Sequence, residues 1–281
     1  MTQISAIIKK RYSCRTYSDR PIEDKILQEF STLVNADHIG PFGNKPQFKL
    51  INLDAAASQR GGKLGTYGVI KNARLFLAGA IKDEPNAMED YGYCKELLIL
   101  KATDLGLGTC WLGGTFQSGE FANAFGLQEG YQLPTVSPLG YAAGKKSLTE
   151  KVMRSFADSN NRKPWSEIFF WGDSFTPLTP QAAGIYKEAL ENVRLAPSAS
   201  NKQPWRILQD AEKNIFHFYL ERSLQYKIIG ISSLQDIDLG IAMSHFSLTV
   251  GELGLKGKWK TNARAPRVKS LDYIASWQGE H

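Results

Sequence analysis

The chain is poor in the residues that carry most familiar site chemistry. Its 281 residues include only three cysteines, Cys14, Cys94 and Cys110, and no CxxC pair. That excludes a disulfide framework and a thiolate metal motif, and it predicts a reduced protein. Four scattered histidines add no ligand spacing, so no metal is expected. No apolar run approaches the ~20 residues that span a bilayer, so no membrane partner is expected. The first residues, MTQISAIIKKRYSCR, put positive charge behind a short apolar patch and offer no small-residue cleavage site. They do not read as a signal peptide, and a cytoplasmic location is expected. Charge of one sign is also scarce: 34 basic against 28 acidic side chains leave a net +6. The basic residues form neither a long run nor an aromatic-interleaved patch, which argues against nucleic acid. Their densest cluster, Lys9-Lys10-Arg11 with Arg15, suits a small phosphorylated ligand.

What is present is a repeat. Ala196-Pro197-Ser198-Ala199-Ser200-Asn201-Lys202-Gln203-Pro204-Trp205 has a faded copy upstream, Gly40-Pro41-Phe42-Gly43-Asn44-Lys45-Pro46-Gln47-Phe48. Their asparagines lie 201 − 44 = 157 residues apart. Each loop follows a helical pattern, Asp24 to Leu33 in the first case and Lys187 to Leu195 in the second. Each precedes two strand patterns: Phe48–Leu53 and Ala73–Ile81, then Arg206–Leu208 and Ile215–Leu220. A helix that is apolar nearly all round follows in each half, from Met88 to Leu105 and from Gln235 to Leu253. Such helices are buried in a core or at a subunit interface. Both end in Gly-Leu, at Gly106-Leu107-Gly108-Thr109-Cys110-Trp111 and Gly254-Leu255-Lys256-Gly257-Lys258-Trp259. Here the offset is 254 − 106 = 148, and Asp90 and Asp238 share it. The nine residues lost between the two offsets are expected in the first copy's Gly-rich stretch. Internal duplication organises the chain.

These residues resemble a known family, the FMN-dependent nitroreductases, in the branch called putative TM nitroreductases. Arg11-Tyr12-Ser13-Cys14-Arg15 is similar to the family's opening R-x-S-x-R. Ala196 to Trp205 follows its A-P-S-x-x-N-x-Q-P-W almost letter for letter. Gly106 to Trp111 matches its helix end, Pro138-Leu139-Gly140-Tyr141 its Gly-Tyr strand end, and Arg162-Lys163 its late basic pair. The resemblance implies an α+β fold of two tandem related halves, each a mostly antiparallel sheet flanked by helices. The units expected are 1–172, carrying the phosphate side, and 173–281, a shorter half that completes the site.

Family members are homodimers that bind FMN between subunits, with the basic motifs from one subunit and the P-S-x-x-N loop from the other. In this chain the losses are complementary. The first half keeps the basic motifs and Gly140-Tyr141 but has the faded loop; the second keeps the loop but lacks R-x-S-x-R and Gly-Tyr. The resemblance therefore implies a fused pseudo-dimer with one FMN site per chain, expected as a monomer, with a swapped dimer in which half one pairs with half two of a second chain as the alternative. Its cofactor contacts would be Arg11, Tyr12, Ser13, Arg15, Leu139, Gly140, Tyr141, Arg162, Lys163, Pro197, Ser198, Ala199, Ser200 and Asn201. Arg11 and Ser13 would take the phosphate, helped by Arg162 or Lys163, since forked guanidinium donors match a dianion. Arg15 would lie on the ribityl or pyrimidine side, where a cation stabilises reduced flavin. Gly140 and Tyr141 would present backbone near N5. Gly65-Thr66-Tyr67-Gly68 would line the pocket, and Gln203 and Trp205 would support the loop.

The implied activity is transfer of a hydride from NADH or NADPH through flavin N5 to a small oxidant, nitroaromatic, quinone or similar. That chemistry requires no proton-shuttling side chain, and no catalytic acid or base is expected. Two other readings remain open at this point. One is a flavin-binding sensor or storage protein without turnover; the other is a basic interaction protein that has lost FMN.

Overall fold

A computed structural model describes residues 3–52, 65–66, 68–144, 161–172, 175–211, 214–224, 226, 233–261 and 265–280. Tyr67 lies outside them. The first half begins with helices α1 (Ile4–Lys10) and α2 (Asp24–Val34), then strands β1 (Gln47–Asn52) and β2 (Leu75–Lys82). The long helix α3 (Ala87–Asp104) follows, then β3 (Gly108–Thr109), α4 (Ser118–Phe125), β4 (Tyr131–Gln132) and β5 (Val136–Gly140). A short helix α5 (Trp165–Ile168) leads into β6 (Phe169–Trp171) and β7 (Thr176–Pro177). The remainder is α6 (Lys187–Arg194), β8 (Trp205–Gln209), β9 (Ile215–Leu220), α7 (Ser233–Glu252), β10 (Gly257–Lys260) and β11 (Asp272–Gly279). The fold is α+β with two sheets, as the resemblance implies.

The sheets repeat one another. The first runs β1-β2-β5-β3, with β4 also on β2; the second runs β8-β9-β11-β10 in the same relative order. The first sheet is antiparallel throughout its described pairings. The second gains β6 and β7 beside β8, and β6 pairs parallel to β8 through Phe169↔Ile207 and Trp171↔Gln209. The chain that carries Arg162 and Lys163 thus crosses over to join the second sheet. This is what brings a first-half motif to the second-half loop.

The nine-residue discrepancy has two parts. Leu50 pairs with Leu77, and its counterpart Ile207 pairs with Phe218, an offset of 218 − 77 = 141. The first copy's Gly-rich connection is therefore sixteen residues longer, more than the nine expected. The link from strand to long helix is seven longer in the second copy and makes up the difference.

Helices α3 and α7 cross at the centre, and glycine lets them touch backbone to backbone. A methyl added at Gly240 would lie 2.8 Å from the Tyr93 nitrogen and closer still to the Glu89 carbonyl oxygen. One added at Gly92 would lie 2.9 Å from the Ile237 carbonyl carbon. The contact is reciprocal in the repeat register, since 240 − 92 = 148 and 237 − 89 = 148. That is the signature of a two-fold interface held within one chain.

Beside the crossing, Glu96 and His245 meet at 3.0 Å with both side chains sealed from solvent. Trp111 donates to the other Glu96 oxygen at 2.7 Å, and the His245 Nδ1 faces the Asn192 carbonyl at 2.8 Å. A buried carboxyl is tolerable only when its oxygens are satisfied in this way. On the second-half side, Phe246 packs among Tyr186, Phe216, Phe218, Trp259 and Trp277, with ring centroids 5.1–6.5 Å away. Helix α1 docks across the halves: Asn192 donates to Ser5 Oγ at 2.7 Å, and the Ile4 N–H reaches Glu252 at 2.8 Å.

Candidate cofactor site

The basic motif lies against β3, at the far edge of the first sheet from β1. Ser13 bridges Thr109 in parallel, and the Cys14 N–H donates to the Thr109 carbonyl at 2.8 Å. Lys71 clamps the next turn: its N–H reaches the Arg15 carbonyl at 2.9 Å, and its carbonyl accepts from Tyr17 at 3.0 Å. Tyr17 then pairs with Ala142, and the Ser18 N–H reaches the Tyr141 carbonyl at 2.9 Å. The Tyr17 hydroxyl, fully buried, donates to the Cys14 carbonyl at 2.9 Å. Its ring also fills the space beside Gly140, where an added methyl would lie 3.2 Å from it. Three motifs far apart in sequence, Arg11–Arg15, Gly108–Thr109 and Leu139–Tyr141, thereby form one edge.

This edge holds donors without a partner among the described residues. The Arg15 Nε and Nη1 are buried and find no hydrogen-bond partner among the described residues, and neither does the buried Tyr141 hydroxyl. Arg20 stacks over the Tyr141 ring at 4.3 Å. An unpaired buried donor costs about 1–3 kcal/mol, and more when charged, so such groups call for an acceptor.

The second half's loop meets the crossing segment directly. Arg162 donates to the Asn201 side-chain oxygen and, at 3.1 Å, to the Leu195 carbonyl. Asn201 returns a bond to the Asn161 carbonyl at 2.7 Å, and the Lys163 N–H donates to Gln203 at 2.9 Å. Burial pushes the Arg162 guanidinium down to about 10, and the nearby charges of Arg11 and Arg194 push the same way. The first-half basic motif, the basic pair and the second-half loop are therefore neighbours, and their positive charges are crowded together. Lys163 points its ammonium elsewhere, toward Glu221 at 3.8 Å, where Arg206 also pairs. Burial, then the Arg206 charge, lowers its pKa.

Within the loop, Pro197 is buried and Ser200 is exposed. Ser198 Oγ accepts the Gln203 N–H at 2.9 Å and closes the turn. Ser200, Asn201 and Gln203 have φ of 47°, 54° and 48°. Left-handed backbone at residues with a Cβ costs roughly 1–2 kcal/mol each, and such strain collects at functional sites. Gln203 and Trp205 are buried beneath the loop, in supporting positions.

Of the flanking segment at 65–68, Thr66 is buried, and the Gly65 carbonyl accepts from the Gln117 N–H at 3.1 Å. A separate cleft of about 350 Å³ opens beside β1, lined by Gln47, Phe48, Lys49, Phe125 and Tyr131 among others. It lies at the opposite edge of the first sheet from the basic motif and is no part of this site. Sequence reasoning missed Asn161 and the structural use of Asp238. The shared register of Asp90 and Asp238 was the available signal for the latter.

The chain matches the family described as "Putative TM nitroreductase" over residues 3–250 and belongs to it. Its fold is that of a crystal structure from Thermotoga maritima described as a putative nitroreductase: TM-score 0.62, 19% identity, covering 99% of this chain and 94% of that one. A nitroreductase with bound FMN from Desulfitobacterium hafniense aligns at 21% identity and TM-score 0.38, over 52% of this chain and 93% of that chain. No protein of curated function matches the chain. Among the described residues, no helix is long and apolar enough to cross a membrane.

Proposed function

We propose that the protein is an FMN-dependent oxidoreductase that takes electrons from NADH or NADPH and reduces small oxidants such as nitroaromatics or quinones. Membership of the nitroreductase family supports the reaction class. The carrying observation is the pair of buried Arg15 nitrogens, without a hydrogen-bond partner among the described residues, on an edge that Arg162 links to the second-half loop. The residues fit an FMN: it is anionic, it is acceptor-rich along its pyrimidine edge, and it would relieve the repulsion among Arg11, Arg162 and Arg194. Bound there, FMN supplies hydride chemistry at N5.

The chain's own part is to hold and orient. Arg11 and Ser13 bind phosphate, with Arg162 as the third donor in preference to Lys163, whose ammonium is engaged by Glu221. Arg15 offers Nε and Nη1 to the pyrimidine side, favouring negative charge there. Gly140 and Tyr141 set backbone at the flavin's edge, with Tyr12 and Leu139 beside them. Pro197 to Asn201 covers the ring with small side chains. The repeat units run 1–172 and 173–281, and together they form a monomeric pseudo-dimer with one site, working in the cytoplasm. Purified protein should take up FMN, bleach on anaerobic addition of NADH or NADPH, and recover colour with a quinone or nitroaromatic. A yellow protein that neither nucleotide bleaches would overturn the enzyme reading in favour of flavin binding without turnover.

A further inference from the structure

The two loops are anchored identically at one point and differently at the next. Asp90, on α3, accepts the Phe42 N–H at 2.9 Å. Asp238, on α7, accepts the Ala199 N–H at 2.9 and 3.1 Å with its two oxygens. The aspartates are 238 − 90 = 148 residues apart, and the amides 199 − 42 = 157, the two repeat offsets. Each long helix therefore carries one buried carboxylate that grips the corresponding loop at the corresponding amide.

Beyond that amide the copies diverge. In the first, Asp90 also accepts from the Asn44 N–H at 2.8 Å and from the Asn44 side chain at 3.0 Å. The Asn44 amide is turned inward, with the Pro85 carbonyl as a further acceptor at 3.0 Å. The next position back is Gly43, at φ 92°, a conformation glycine takes without penalty. In the second copy that position is Ser200, held left-handed despite its side chain, and Asn201 turns outward to Arg162 and the Asn161 carbonyl. The first loop is relaxed and closed on its anchor. The second is strained and open toward the first half.

We infer that Asp238 is the positioning residue of the cofactor site, holding Ala199 so that Ser200 and Asn201 are presented outward, while Asp90 performs the same bond for a loop that binds nothing. The inference rests on the FMN reading above. It makes the molecule its own control, because the anchor can be cut once where the site depends on it and once where it does not. Burial raises the pKa of both carboxyls, opposed by the bonds from Ala199 in one case and from Phe42 and Asn44 in the other. Asp236, packed near Asp238, raises it further, and Tyr226 lies alongside. The grip is thus local to each loop.

The test is FMN titration of the full-length protein, read by flavin fluorescence quenching and by visible circular dichroism of the bound flavin. Asp238→Ala should raise the FMN Kd about tenfold, the effect of losing one hydrogen bond that holds the loop, and should change the dichroism of what remains bound. Asp90→Ala removes more hydrogen bonds, so it should destabilise the fold at least as much, yet leave Kd within about twofold. Asp238→Asn keeps one carbonyl acceptor for Ala199 and should recover most of the affinity, within about threefold of the parent. It also serves as the readout should the alanine variant fail to fold, with Asp90→Asn as its pair. If the variants at 90 and 238 weaken FMN alike, or neither does, while the parent binds it, the inference is wrong. A parent that takes up no FMN instead fells the functional reading, and this inference with it.

Discussion

Gly92→Ala and Gly240→Ala probe the helix crossing that joins the halves. By helix propensity alone each change should stabilise, since alanine exceeds glycine by about 1 kcal/mol in a helix interior. The structure predicts the opposite. Ordinary carbon contacts fall at about 3.5–4.0 Å, whereas the new methyls would sit 2.8 Å from the Tyr93 nitrogen and 2.9 Å from the Ile237 carbonyl carbon. Neither neighbour is a flexible side chain that can swing away; both are helix backbone. The helices must part by roughly 1 Å, which forfeits up to half the dispersion attraction across the seam. Overpacking of this kind costs about 1–3 kcal/mol, occasionally more; against unyielding backbone the upper end applies, so each single variant should lose about 2 kcal/mol net of the propensity gain. Because the two sites face one another, the first methyl opens the space that the second needs. The double variant should therefore be less damaged than the sum, by about 1–2 kcal/mol, well beyond the ~0.5 kcal/mol within which independent sites add. Urea unfolding followed by tryptophan fluorescence measures all four corners of the cycle. Singles as stable as the parent, or strict additivity, would refute the reciprocal crossing.

Arg15→Ala should loosen FMN by about tenfold or more, because it removes buried donors that have no partner among the described residues; Lys258→Ala, in the second half's counterpart of the Gly106–Trp111 segment, should not, and equal effects in equilibrium dialysis would remove the assignment of sides. Glu89, raised to about 7 chiefly by burial and then by Asp236, favours its protonated form when folded. Its contribution is present below the unfolded value near 4.5 and is lost as pH rises through about 7, a change of about 3 kcal/mol at most. Glu89→Gln should therefore be more stable than the parent at pH 8 and no different at pH 4, by chemical denaturation; a pH-independent difference would contradict it.

The elements legible in the sequence were those with strong local periodicity: the two apolar helices, the paired strands before them and the loops between. The candidate cofactor edge was legible as letters, because Arg11–Arg15 and Ala196–Trp205 are contiguous. What local pattern cannot encode is pairing across distance. Phe169–Trp171 is three residues long and bonds in parallel to a strand thirty-eight residues on, so no alternation betrays it. The lengths of the two connections were hidden for another reason: a long insertion in one copy and a shorter one in the other partly cancel, and only the register of Leu50↔Leu77 against Ile207↔Phe218 separates them. In the sequence Asp238 was legible only as the repeat partner of Asp90, a polar residue on a buried helix. Its purpose is visible only once Ala199 lies above it.

The central claim is that two unequal halves make one cofactor site. It is tested most directly by the stoichiometry of FMN bound to purified, fully loaded protein, from flavin absorbance against protein concentration. One FMN per chain is the predicted result. Two per chain would show that the loop at Gly40 to Phe48 still binds flavin, and none would contradict the cofactor reading of the edge built around Arg15.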